Sequence, residues 1–214
     1  MRCEVKHRVW SAVTGVLVLA VVGCGGPGET IKVSASMDAV PAPEKVQPAL
    51  RVAVVPFEDV RADKAAIGRY QHYVETRVDQ LVPAQGTAAE QVTEFVAEYL
   101  KRAGFQVTRA QSGEAVAQGA ADVVLTGQIE SYWNEAVSRF FRTELMSRNR
   151  LVVKASNIGD GSTVRTSVEG GGTTTVVSFG LADLERLNNE ALGDSLARFL
   201  RDVAVADRAL RPKK

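Results

Sequence analysis

The stretch "ADVVLTGQIESYWNEAV", residues 121 to 137, decides how the chain folds. Val123, Leu125, Ile129 and Trp133 fall on one side at a period of two, with Thr126, Gln128 and Glu130 on the other. Such alternation predicts a strand with one buried and one wet face. The pattern repeats in "FFRTELMSRNRLVVKAS" (140–156), where Phe141, Leu145, Leu151 and Val153 alternate with Arg142, Glu144, Arg148, Arg150 and Lys154. "NIGDGS" (157–162) reads as a tight turn, and "TVRTSVEG" (163–170) continues the period through Val164, Thr166 and Val168. The three segments predict an antiparallel meander.

Working outward, "LRVAVVPFEDVR" (50–61) opens with a β-branched apolar run that Pro56 stops, a central strand at 50–55. "TAAEQVTEFVAEYLKRAGF" (87–105) carries Thr87 and Glu90 at capping-box spacing and a stripe of Val92, Phe95, Val96, Tyr99 and Leu100. It predicts a helix, followed by a short strand in "FQVTRA" and a brief helix or turn in "GEAVAQGA". A last helix at 182–204 aligns Leu192, Leu196, Phe199, Leu200 and Val203. The order β-α-β-(α)-β-β-β-α is an α+β two-layer sandwich, a mixed sheet covered by two amphipathic helices. Residues 57–86 show only Tyr73, Val74, Val78 and Leu81 at helical spacing without caps, which reads as an irregular excursion holding at most a short helix.

The N-terminus has a different character. "MRCEVKHR" is a positive head, and the apolar segment after it is shorter than the about 20 residues a spanning helix needs. "VVGC" (21–24) then resembles the bacterial lipobox, whose cysteine becomes the N-terminus and carries fatty acyl chains such as palmitate. Several chains anchor firmly, because each buried methylene contributes about 0.8 kcal/mol. The resemblance implies an outer-membrane destination, since position 25 is Gly and not the Asp that favours inner-membrane retention in enterobacterial lipoproteins. The expected division is a signal peptide at 1–23, lipidated Cys24 and tether at 24–49, a periplasmic domain at 50–205, and a basic tail at 206–214. Within the tether, "TIKVSAS" (30–36) alternates Ile31, Val33 and Ala35, and reads equally as an edge strand or as extended linker.

The chemistry is sparse. The net charge is +1, of which residues 1–23 contribute +2, so the remainder offers no basic footprint for nucleic acid. His7 leaves with the signal, so His72 would be the only histidine, and neither a zinc cluster nor a Ser-His pair can be assembled within the chain. "GDSL" (193–196) matches a hydrolase signature, but it lies inside the last helix with no histidine after it. Ser195 would lack a general base, so a hydrolase is the weakest reading. The runs "GDG" (159–161) and "GGG" (170–172) lack the context of a phosphate loop and read as a hairpin turn and a strand kink. No catalytic residue, metal site or cofactor is expected.

Long irregular loops on rigid scaffolds tend to carry function. The candidate interaction surface is therefore Asp59, Arg61, Gly68, Tyr70, His72 and Tyr73. The basic row Arg142, Arg148, Arg150 and Lys154 is the other candidate, although the reading preferred for it is a solvated sheet face that discourages edge association.

The lipobox, the strand running into Asp59 and Arg61, the Ile67-Gly68 pair and the helix ending "LKRAGFQV" together resemble the YajG-type bacterial lipoproteins. "ADVVLTGQIESYW", "LVVKAS" and "SVEGGG" extend the likeness over most of residues 50–204, and the excursion at 69–86 departs from it. The resemblance implies a non-enzymatic envelope lipoprotein. Its domain is expected to dock onto an assembly or transport protein, held at the membrane by its lipid. A lipid- or glycan-binding module is the alternative.

Overall fold

The computed structural model describes residues 28–75, 77–113, 116 and 119–213. The expected signal peptide and Cys24 lie outside the described residues. Among the described residues, eleven strands and two helices follow in order: β1 (Thr30–Val33), β2 (Arg51–Val54), β3 (Glu58–Asp59), β4 (Gly68–Gln71), β5 (Val78–Pro83), α1 (Ala88–Arg102), β6 (Gln106–Arg109), β7 (Val123–Arg139), β8 (Arg142–Asn157), β9 (Thr163–Val176), α2 (Leu181–Asp202), β10 (Val203–Ala206) and β11 (Ala209–Pro212). The molecule is α+β, with nine strands in one mixed sheet and both helices packed against it.

β7 is the spine of that sheet. Along one edge it pairs in parallel with β2, then β3, then β4, and along the other it pairs antiparallel with β8. The meander β7–β8–β9 is as the alternation predicts, with one correction. The register shifts between Ile129 and Ser131, so Glu130 is the extra residue of a bulge. One added residue inverts the phase: Ile129 is buried before it, and Tyr132, Asn134 and Ala136 after it. Tyr132 therefore enters the core in place of Trp133, and burial pushes its hydroxyl up to about 12.

α1 starts with a complete capping box. Thr87 Oγ1 accepts from the Glu90 N–H, and Glu90 Oε2 accepts from the Thr87 N–H. α2 lies over β8 and β9. A Cβ on Gly170 would stand 1.9 Å from the Ala191 carbonyl oxygen, so the triple glycine admits the helix backbone onto the sheet. Pairing of β9 runs through 170–172 unbroken, which corrects the expected kink. Ser195 is fully buried and donates to Asn149 Oδ1 and to the Ala191 carbonyl, as a packing residue would.

Three other expectations change. The excursion at 57–86 holds the antiparallel pair β4–β5, not a helix. The helical spacing of Tyr73, Val74, Val78 and Leu81 is coincidental, because only Leu81 is buried while the other three are exposed. The tether at 24–49 is mostly part of the domain. β1 pairs in parallel with β5 at the sheet edge. Beyond it, Ser34 and Ser36 N–H groups donate to Glu185 and Asn189 of α2, and the Val46 N–H donates to the Ala103 carbonyl. Met37 and Val40 are buried, so this segment is held by packing as well as by hydrogen bonds.

Residues 203–212 are the hairpin β10–β11, not a tail. Asp207 and Arg208 both take left-handed φ, +53° and +56°, as a two-residue hairpin turn requires. Val203, Ala209 and Leu210 are buried, and the Asn157 amide clamps Leu210 through both its N–H (2.9 Å) and its carbonyl (3.0 Å).

Candidate functional site

The sheet register brings several loops to one edge. Across the sheet, Val78 pairs with Gln71, Gln71 with Val137, Val137 with Glu144, and Glu144 with Thr175. The described residues just past that row form a common rim: residues 72–75 and 77 between β4 and β5, Phe140 and Phe141 between β7 and β8, and Val177 after β9. The chain also enters the sheet here, since the Gln80 N–H donates to the Glu29 carbonyl.

Asp79 organises the rim. Its side chain is 3% exposed, accepts from His72 Nε2–H at 2.7 Å and from the Glu29 N–H at 2.8 Å, and forms an ion pair with Arg77, whose Nε lies 3.2 Å away. Burial alone would push the carboxyl up; the His72 hydrogen bond, the Glu29 N–H and the Arg77 charge outweigh it and hold Asp79 below the usual carboxylate range. Tyr70 stacks on Phe179 with ring centroids 4.2 Å apart and hydrogen-bonds Ser138 Oγ at 3.0 Å. The link from β9 to α2 is thereby closed over β4.

The candidates read from the sequence separate into three groups. Asp59 and Arg61 pair with each other at 2.9 and 2.8 Å, and Arg61 also donates to the Ala66 and Tyr132 carbonyls. Arg61 is buried, so it staples the 60–67 loop to β7 instead of offering a charge to a partner. Gly68 is a packing position as well, because its Cβ would fall 1.9 Å from the Asn134 carbonyl oxygen. Tyr70, His72 and Tyr73 do meet at the rim, where Tyr73 is exposed.

Of the basic row, Arg142 reaches the rim and pairs with Glu144 at 3.1 Å, while Arg150 pairs with Glu130 at 2.9 Å and Glu169 at 3.3 Å. Arg148 and Lys154 lie exposed farther along β8. Two of the four charges are matched by carboxylates and the other two face solvent, which suits a solvated sheet face.

The sequence reading missed the tips. The alternation places Phe141 on the buried face of its strand, yet it is 80% exposed in a two-residue turn between paired Arg139 and Arg142. The signal was present in "RFFR", placed where two alternating runs meet. It went unread because the turn lacks the Gly or Asn that normally marks one.

A second feature lies at the other end of the sheet. Segment 40–47, the end of α2 and the hairpin β10–β11 enclose a cleft of about 580 Å³ lined by Val40, Tyr99, Phe105, Leu200, Val203 and Leu210, among others. Among the described residues, no group of three or more His, Cys, Asp or Glu could hold a metal ion, and no helix is long and apolar enough to cross a membrane.

No known family profile matches the sequence, and no curated protein matches it. Solved structures with a similar arrangement include a Xanthomonas campestris protein of the DUF330 family, 13% identical, covering 81% of this chain and 90% of its own, with a TM-score of 0.47. The PelC dodecamer from Paraburkholderia phytofirmans is 18% identical over 73% of this chain and 91% of its own, TM-score 0.42. A lipoprotein from Neisseria meningitidis is 12% identical over 72% and 96%, TM-score 0.34. The chain is thus similar in outline to bacterial proteins that include lipoproteins, and at these scores the likeness carries no conclusion about activity.

Proposed function

We propose that the chain is a non-enzymatic bacterial lipoprotein, held by acyl chains on Cys24 at the periplasmic face of the outer membrane. There its α+β domain serves as a docking module for an envelope assembly or transport protein. One observation carries this reading: the export-type segment ending in "VVGC" is followed, six residues after the cysteine, by Thr30 entering the sheet as β1. The attachment point is therefore separated from the folded body by a few residues only. Anchoring a domain so closely raises its effective concentration at the membrane without a tight interface. Labelling cells with alkyne-palmitate tests the anchor: the natural chain takes the label and Cys24→Ser does not. A label that survives Cys24→Ser, or one never taken up, sinks the reading.

The cleft of about 580 Å³ supports a second reading, a binder of a small amphiphile such as a lipid or glycan fragment. Native mass spectrometry of the protein released gently from membranes separates the two. A retained mass lost in Leu200→Trp favours the binder, and an empty protein crosslinking to one envelope partner favours docking.

A further inference from the structure

We propose that the rim is a membrane-contacting edge, with Tyr73, Val74, Phe140, Phe141 and Val177 seated in the interfacial layer of the leaflet that holds the Cys24 lipid. The proposal rests on the lipid-anchor reading and adds a second, non-covalent attachment to it. Four observations support it.

The first is exposure. Val74, Phe140, Phe141 and Val177 are 87%, 67%, 80% and 82% exposed, and Tyr73 is 57% exposed. They gather on three adjoining loops, where Tyr73 and Phe140 have ring centroids 6.2 Å apart and Phe140 and Phe141 4.0 Å. Contiguous apolar groups in water mark a contact surface, whereas single ones are ordinary.

The second is backbone conformation. Phe141 has φ +58°, the left-handed region that Gly or Asn adopts most easily. A hairpin tip that keeps a bulky exposed aromatic there gains nothing from it in folding.

The third is where the chain arrives. Gly28 lies against β5 at Val78, so close that a Cβ would fall 1.8 Å from the Val78 carbonyl oxygen, and the next N–H is held by Asp79. Gly28 follows Cys24 by four positions, a span of at most about 14 Å. A lipid on Cys24 therefore draws this edge, and not the cleft end, against the bilayer. This leash favours a bilayer over other occupants of the rim.

The fourth is charge. Arg142 pairs with Glu144, and Arg69 with Glu135, while Arg77 contacts Glu75, Glu29 and Asp79. With the rim charges balanced, adhesion comes from the apolar tips and depends little on anionic lipid or salt.

The test uses the lipidated full chain carrying Phe141→Trp, reconstituted into phosphatidylcholine vesicles. Brominated phosphatidylcholine should quench the added indole emission, and aqueous iodide should not; iodide quenching without bromolipid quenching overturns the proposal. A chain of residues 25–214, which contains every described strand and helix, provides a readout independent of the anchor. It should sediment with phosphatidylcholine vesicles and with phosphatidylethanolamine–phosphatidylglycerol vesicles alike. Phe140→Ser/Phe141→Ser should lower the partition coefficient roughly tenfold or more while leaving the melting temperature unreduced.

Binding confined to the anionic vesicles, or unaltered by the double substitution, overturns the proposal. So does a dimer in sedimentation velocity that the double substitution dissolves while vesicles go unbound, which would assign the rim to a second copy. Palmitate labelling reports on Cys24 alone, so the anchor and the rim can fail separately.

Discussion

Two hairpins, at opposite ends of the same long strand pair, solve the same problem differently. β10–β11, packed beside the start of β7, turns through Asp207 and Arg208, polar residues with left-handed φ. Three of its apolar residues, Val203, Ala209 and Leu210, are inside. β7–β8 turns through Phe140 and Phe141, with Phe141 left-handed and both rings in solvent. The first is what folding alone selects; the second departs from it in residue type and exposure together. Departures that coincide, in rings whose recorded neighbours are one another and the exposed Tyr73, point to selection by something the domain touches. β7 spans 17 residues, about 50 Å, so one end can rest on a membrane while the cleft faces away from it.

The comparison can be broken at either end, and stability is read in urea melts of residues 25–214. The largest effect is expected from Asn157→Ala. It strips both hydrogen bonds that hold Leu210 and should cost about 2–3 kcal/mol, with the hairpin's amides exchanging early. An unchanged melt would mean that β10–β11 is fastened by its packing and ion pairs and not by this clamp.

Next comes Asp122→Asn, which removes the carboxylate paired with Arg51 at 2.9 Å and Arg208 at 2.7 Å, at about 1–2 kcal/mol near neutral pH. The Arg51 hydrogen bond, outweighing burial, holds Asp122 down at about 2, below its unfolded value of about 3.9. Its contribution is therefore complete above about pH 4 and lost as pH falls toward 2. Asp122→Asn should flatten the stability decline across that window, and a decline as steep as the parent's would contradict the assignment.

Phe141→Gly should act in the opposite direction, raising stability by about 0.5–1 kcal/mol as the left-handed strain is relieved while weakening vesicle binding. If it destabilises, the aromatic has a folding role and the contrast between the hairpins disappears. Arg142→Gln is expected to move stability by less than about 0.5 kcal/mol, because its pair with Glu144 is solvent-exposed. A larger loss would show that the rim charges support the fold.

What the sequence disclosed follows the range of the interaction involved. α1 was legible because a capping box and an apolar stripe are local, and the meander because period-two alternation persists over long strands. The bulge at Glu130 was not, since one inserted residue leaves each half of β7 looking regular while exchanging Trp133 for Tyr132 in the core. β4 and β5 were hidden because β4 pairs with β7 some 66 positions away, and nothing local announces a parallel partner.

The candidate site was half legible for the same reason. Tyr70, His72 and Tyr73 were found together in one segment. Phe140, Phe141 and Val177 join them only through the register, and Asp59 and Arg61 proved to be internal partners, as short-range ion pairs often are.

β1 has a mechanical consequence. It lies parallel to β5, held from the Glu29 carbonyl to Gln80 N and from the Val33 carbonyl to Ala84 N. A pull from the N-terminal side, as the proposed anchor would exert, would run along the strand axis and load these bonds together, in shear, instead of peeling them one at a time. On the proposed anchoring, if a partner tugged the domain away from the bilayer, the first structure to bear the tension would also be one of the hardest to unzip.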